Sequence, residues 1–245
     1  MQNYLIISAS SEIGLLTAKN LISQGKNIFI TAQNPERLAQ LKSELNCDGA
    51  LLNAADFAAT QEVFELAITK LGSLDGVVNF AGSVILKPAH LTSFEEYQNT
   101  VEANLTTAFS TIKAAAKNLK NGGSVVLISS AAAMHGISNH EAIAAAKGGI
   151  ISLAKSAAAT YAGQNLRFNV VAPGLIETKL TQKITSNENA LKASKAMHAL
   201  GRIGKPYDVS AMVEFLLSDQ ANFITGQVIG IDGGLSNLQP KIKTQ

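Results

Sequence analysis

Lys147 lies in the stretch NHEAIAAAKGGI, residues 139–150, which reads as the opening of a helix carrying a reactive lysine. His140, Ile143 and Lys147 are spaced by three and four residues and share one helix face. An imidazole with an ordinary pKa near 6.5 suits proton transfer, so His140 is a candidate acid or base; the plainer alternative is a solvated or helix-capping histidine. Ser138 to Glu141 fits the S-x-x-E capping box, which assigns the Glu141 carboxylate to the helix end. His135, in AAAMHGIS, is a further candidate on the preceding loop, whereas Tyr161 is too far along the helix to work beside Lys147. Ser129 and Ser130 close the apolar run SVVLISS, at the end of a strand where open α/β sheets hold their ligands. A second kind of chemistry is suggested by SASSEIG, residues 8–14. A Ser- and Gly-containing turn that feeds a helix aims backbone amides, and the helix dipole, at a phosphate. Read structurally, Ser10 or Ser11 caps that helix and Glu12 sits in its first turn.

The elements that must position these groups are short apolar runs alternating with longer amphipathic stretches. YLIIS, NIFIT, GALLN, LDGVVNF, SVVLISS, LRFNVVA and QVIGID read as seven strands, continuous in polarity rather than alternating, as strands buried on both faces are. Val63, Phe64, Ala67, Ile68 and Leu71 repeat with helical spacing between two of them. Strand then helix, repeated, predicts an α/β doubly wound, Rossmann-type parallel sheet with helices on both faces, in a single domain over residues 1–245. Residues 177–206 break the rhythm with a long polar stretch after the sixth strand, predicting a substrate lid or a plain surface helix pair. Residues 237–245 read as a flexible tail.

Composition narrows the function. At 245 residues and 47% hydrophobic content the chain closes a sizeable core, and a net charge of +2 with 20 dispersed Lys and Arg leaves no basic stripe for nucleic acid. The single Cys47 excludes an intrachain disulfide framework and a CxxC metal pair, so no metal site is expected. No run approaches the roughly 18 apolar residues that span a membrane, and the expectation is a soluble cytoplasmic protein.

Three further pieces give the pattern its identity: NFAG (79–82) after the fourth strand, Asn104 in VEANLTTAF, and NVVAPGLIET (169–178) after the sixth. Together with Ser129, Ser130, Lys147 and the closing ALGRIGKPYDVSAMVEFLLSDQANFITGQVIGIDGG, their order and spacing resemble the short-chain dehydrogenase/reductase family over essentially the whole chain. Within that family the chain looks most like the bacterial 3-oxoacyl-acyl carrier protein reductases. The resemblance implies NADP or NAD as cofactor. The turn carrying Ser8, Ser10, Ser11, Ile13 and Gly14 would face the pyrophosphate and Asn53 and Ala54 the adenine. Asn79, Phe80, Ala81 and Gly82 would face the dinucleotide's middle, and Pro173, Gly174, Ile176 and Thr178 its nicotinamide side. Asn104, Ser130 and Lys147 match three members of the family's catalytic tetrad, with Lys147 also holding the ribose. A small or acyl carbonyl/alcohol substrate and a homo-oligomer, tetramer or dimer, are further implications. The Ala-rich AAAKGGIISLAKSAAATYA is compatible with packing between copies or against its own sheet.

The sequence departs from the family at three places. The tetrad's tyrosine falls on Ile143, which has no proton to give, leaving His140 or a water relayed past Asn104 and Lys147. Ser8 and Glu12 replace the first two glycines of the turn; Ser8 reads as a mild change, while Glu12 disfavours a pyrophosphate if its carboxylate points inward rather than to solvent. At the end of the second strand, Ala32 and Gln33 offer neither the acid that binds the ribose of NAD nor an arginine for the NADP phosphate. With Arg37 nearby, this leans slightly towards NADP.

Overall fold

A computed structural model of the chain describes residues 2–239. Most of the segment read as a tail, residues 237–245, therefore lies outside the described residues. Seven parallel strands form one sheet in the order β3-β2-β1-β4-β5-β6-β7. They are β1 (Asn3–Ile7), β2 (Asn27–Ala32), β3 (Asp48–Leu51), β4 (Gly76–Asn79), β5 (Gly123–Ile128), β6 (Leu166–Pro173) and β7 (Val228–Ile231). The doubly wound sheet expected from the sequence is thus present, and each strand overlaps the apolar run that announced it, with ends that differ by up to a few residues.

Alternate side chains of the central strands feed two cores, one per face, because successive Cβ atoms point to opposite sides. On one face Leu5, Val77, Val125 and Phe168 pack with α3 (Phe57–Leu71), α5 (Thr107–Asn118) and α6 (Glu141–Tyr161). On the other, Tyr4, Ile6, Val78 and Val126 pack with α1 (Glu12–Ser23), α2 (Pro35–Leu45) and α9 (Pro206–Leu217). One face of α6 packs against its own sheet: Ile150, Ala154, Ala157 and Ala158 are buried in the first core. Strand order reverses between β1 and β4, so the loops after these strands diverge and open a crevice at the sheet's carboxyl edge.

Three local features shape that edge. α4 (Phe94–Val101) and α5 are joined through a π-helical segment, Glu102–Thr106, that contains Asn104. The widened turn disturbs the carbonyl ladder, and Asn104 Nδ2 donates to the Thr100 carbonyl at 2.8 Å. Residues 177–206 are not irregular: they include α7 (Gln182–Thr185) and α8 (Glu188–Met197). Their approach is fixed by Glu177 N donating to Gly204 O and Gly204 N to Leu175 O, each 2.9 Å.

Candidate active site

A cleft of about 540 Å³ runs along the carboxyl edge, with its walls drawn from the loops after β1, β4, β5 and β6. Its lining brings together Ser10, Ser11, Ile13, Phe80, Ala81, Gly82, Ser130, Lys147, Pro173, Gly174, Ile176 and Thr178 among the residues singled out from sequence. Glu12, Arg37 and Ile143 share it. An adjoining, mainly apolar pocket of about 200 Å³ shares Val84, Ser130, Ile143, Gly174 and Thr181 with the cleft and adds Leu86, Ile184, Met197, His140 and His198.

The chemistry concentrates where β5 meets α6. Ser129 and Ser130 are neighbours at the strand's end, so their side chains part: Ser129 Oγ is buried and donates to the Lys147 carbonyl at 2.8 Å, while Ser130 faces both cavities. Lys147 is 8% exposed, and its Nζ donates to the Ile128 carbonyl at 2.9 Å. Burial pushes this amine down from 10.5 to about 8, since an ammonium loses hydration and no carboxylate among the described residues pairs with it. Gly82 abuts the same spot: a Cβ there would stand 2.8 Å from Asn104 Oδ1 and 3.3 Å from Lys147 Nζ. Asn104 therefore approaches the lysine, although its side chain is engaged by Thr100 and by Ser83 Oγ at 3.1 Å and does not line the cleft.

Ile143 is 4% exposed and forms part of the wall common to both cavities. His140 reaches only the apolar pocket. It is the N-cap residue rather than the first turn of α6, and its Nδ1 donates to the Ser138 carbonyl at 2.8 Å, which leaves Nε2 as the free ring atom. The expected Ser138–Glu141 capping box does not form. Asn139 adopts φ +63° and its carbonyl accepts from Lys87 N at 2.8 Å, so the chain turns between the two partners and the helix starts at Glu141. His135 is exposed and lines neither cavity.

The turn after β1 holds two corrections. Ser8 is no mild replacement, because it sits at φ +61°, a left-handed conformation that glycine takes freely and serine at a cost of roughly 1–2 kcal/mol. Ser11, rather than Ser10, caps α1, accepting from Gly14 N at 3.0 Å. Gly14 is held tightly: a Cβ would stand 2.9 Å from the Ser8 carbonyl oxygen and 3.1 Å from Ala9 Cα. The Glu12 carboxylate is not free: its Oε2 accepts from Lys179 N at 2.7 Å across the cleft, in an exposed hydrogen bond.

Several sequence candidates lie outside the cleft lining. Asn79 is buried and spends its amide on α5, donating to Thr107 O and Thr111 Oγ1 at 3.1 and 2.9 Å, while its Oδ1 accepts from Ala81 N. It shapes the loop instead of facing a ligand. Asn53 accepts from Ala55 N within its own turn at 3.2 Å, Ala54 is buried, and Gln33 is exposed. Arg37, from the first turn of α2, does reach the lining. Sequence reasoning did not single out His198, which is 3% exposed, donates from Nδ1 to Ser194 O and accepts at Nε2 from Leu175 N. No motif surrounds it and no sequence signal marks it; in the structure it packs on Gly174, whose added Cβ would stand 2.6 Å from His198 Nε2. Among the described residues, no cluster of His, Cys, Asp or Glu could hold a metal ion, and no helix is long and apolar enough to cross a membrane.

A doubly wound sheet with its ligand cleft at the strand-order switch, and a Ser, Asn and Lys set at one end, defines a class of α/β oxidoreductase folds. The family model described as enoyl-(acyl carrier protein) reductase matches residues 7–236. The chain is 35% identical to the 3-oxoacyl-(acyl-carrier-protein) reductase of Thermotoga maritima over 240 residues, covering 94% of this chain and 96% of that one. It is 30% identical to a tropinone reductase homolog of Arabidopsis thaliana, covering 95% and 91%. A solved short-chain type dehydrogenase/reductase from Mycobacterium ulcerans superposes with a TM-score of 0.92 at 31% identity, covering 98% of this chain and 91% of that one. The chain belongs to the short-chain dehydrogenase/reductase family.

Proposed function

We propose that the protein is an NAD(P)-dependent oxidoreductase that interconverts a carbonyl and an alcohol by hydride transfer, with a proton donor other than tyrosine. The observation that carries this reading is the meeting of an elongated cleft and an apolar pocket at Ser130, beside a buried amine with no carboxylate partner among the described residues. The cleft's donor set fits a dinucleotide over most of its length. Phe80, Ala81 and Gly82 would back its middle, Pro173, Gly174, Ile176 and Thr178 its nicotinamide side, and Lys147 a ribose. The Ser10–Gly14 turn would lie along the diphosphate, where Glu12 is the one residue that disagrees. When bound, the nicotinamide supplies or takes the hydride.

The chain's own residues do the rest. Ser130 donates to the substrate oxygen and holds it, and the apolar wall of Val84, Leu86, Ile184 and Met197 suits a small or acyl carbonyl. A proton reaches that oxygen through water relayed past Asn104 from Lys147, whose lowered affinity near 8 matches a working pH better than a free lysine. His140 stands in the substrate pocket as the second donor; with Nδ1 committed to Ser138, it gives a proton from Nε2 only as the imidazolium. Residues 177–206 serve as the lid, contributing Thr181, Ile184, Ser194, Met197 and His198 to the pocket. NADP is slightly preferred, supported by Arg37 in the cleft and by the lack of a carboxylate at Ala32 and Gln33. The exposed Leu91, Phe94, Tyr97 and Phe109 on and beside α4 and α5 suit a homodimer or homotetramer of a soluble, cytoplasmic enzyme.

A screen of ketones and alcohols with NADPH and NADH tests the reading; absence of turnover with every pair, alongside measured cofactor binding, refutes it. That result would favour the second reading, a dinucleotide-binding sensor or partner subunit without reductase activity. Its support is Ile143, an inert side chain at the wall shared by both cavities.

A further inference from the structure

Glu12 stands where the turn otherwise brings bare backbone against an anion. It is the first residue of α1, so the helix dipole favours negative charge there, and the carboxylate is already part of the cleft lining. Its Oε2 accepts from Lys179 N at 2.7 Å, joining two loops 167 residues apart in sequence and tying one cleft wall to the other. Among the described residues no lysine or arginine forms a salt bridge with it. An entering diphosphate meets two obstacles: a charge-assisted hydrogen bond that must break, and a fixed negative charge beside its own.

We propose that Glu12 is the specificity-determining residue of the cleft towards diphosphate: latched on the Lys179 amide, its carboxylate occupies the diphosphate subsite, and a dinucleotide enters only when the latch is released. This rests on the cleft's being a dinucleotide site, and it makes the chain a discriminating binder whose affinity is held down by its own side chain. A ligand without phosphate, such as adenosine, does not reach the latch and is unaffected.

The test is calorimetric titration of the full chain and its Glu12→Gly and Glu12→Gln variants with adenosine, ADP, NADH and NADPH. Hydrogen exchange at residues 179–181 is followed alongside, without ligand. Glu12→Gly is expected to bind ADP and the dinucleotides about tenfold or more tightly than the parent, while adenosine affinity stays unchanged. Glu12→Gln keeps an acceptor for the amide but not the charge, and falls between. Exchange at residues 179–181 speeds up in Glu12→Gly whatever ligand is later added. Unchanged ADP affinity in Glu12→Gly, with adenosine still bound by all three proteins, overturns the proposal and leaves the dinucleotide reading intact. Failure of every nucleotide to bind a folded Glu12→Gly removes both, and faster exchange at 179–181 in that case shows a latch whose purpose lies elsewhere.

Discussion

Replacing Lys147 by methionine should make the protein more stable at neutral pH and less stable at high pH. The amine is 8% exposed, and burial moves it from 10.5 to about 8. Each unit of such a shift corresponds to about 1.36 kcal/mol, so keeping the ammonium in the folded state costs roughly 3 kcal/mol below pH 8. Between about pH 8 and 10.5 the unfolded chain holds the proton and the folded one has released it. The unfolded state then binds more protons, so stability rises with pH through this window and the penalty is gone above it. Methionine fills a similar volume without charge but forfeits the hydrogen bond to the Ile128 carbonyl, worth about 1 kcal/mol. The net expectation for Lys147→Met at pH 7 is a gain of about 2 kcal/mol, or roughly 4–8 °C in midpoint for a domain of this size. Above pH 10.5 a loss of about 1 kcal/mol remains, from the missing bond alone. Urea unfolding of both proteins at pH 7 and pH 10.5 measures the two differences. A parent that is more stable than the variant at pH 7, or a difference that does not change with pH, refutes the reasoning and requires a compensating partner for the ammonium.

Ile143→Tyr places a phenol one turn before Lys147, beside the 200 Å³ pocket, and should raise carbonyl-reduction turnover by about 10² to 10⁴. Steady-state rates decide it, and an unchanged rate with bound cofactor argues that proton supply is not what limits the parent. Ser8→Gly relieves the φ +61° conformation and should raise stability by up to about 1 kcal/mol, since glycine's greater unfolded freedom offsets part of the relief; a lower urea midpoint contradicts it. Gly14→Ala forces a Cβ to within 2.9 Å of the Ser8 carbonyl oxygen and should cost about 1–3 kcal/mol, read as a fall in the same midpoint.

The sheet was legible because strands covered on both faces must be continuously apolar, and runs such as SVVLISS and LRFNVVA could be little else. The alternation of these runs with helical spacing carried the topology with it, since parallel neighbours need crossovers. What stayed hidden depended on partners far away in sequence or on backbone angles. Nothing local to Glu12 points to Lys179, and nothing local to His198 points to Leu175. The SNHE pattern met the letter of a capping box, yet Asn139 was already committed to a left-handed turn that separates its ends. Ser8 brings no charge to the turn, but the position discriminates by φ rather than by charge. The place of Asn104 in a π-helical segment, where its amide takes up a carbonyl one turn back, is invisible to residue type alone.

Lys147 is gripped at both ends by consecutive residues at the carboxyl end of β5: its carbonyl accepts from Ser129 Oγ and its amine donates to Ile128 O. A free lysine side chain loses up to about 2 kcal/mol of rotamer entropy when it is immobilised. Here that loss accompanies folding, so a ligand that docks on the amine incurs none of it. The lysine behaves as a fixed post rather than a searching arm, and any ligand that uses it must bring its own atoms to where the post stands.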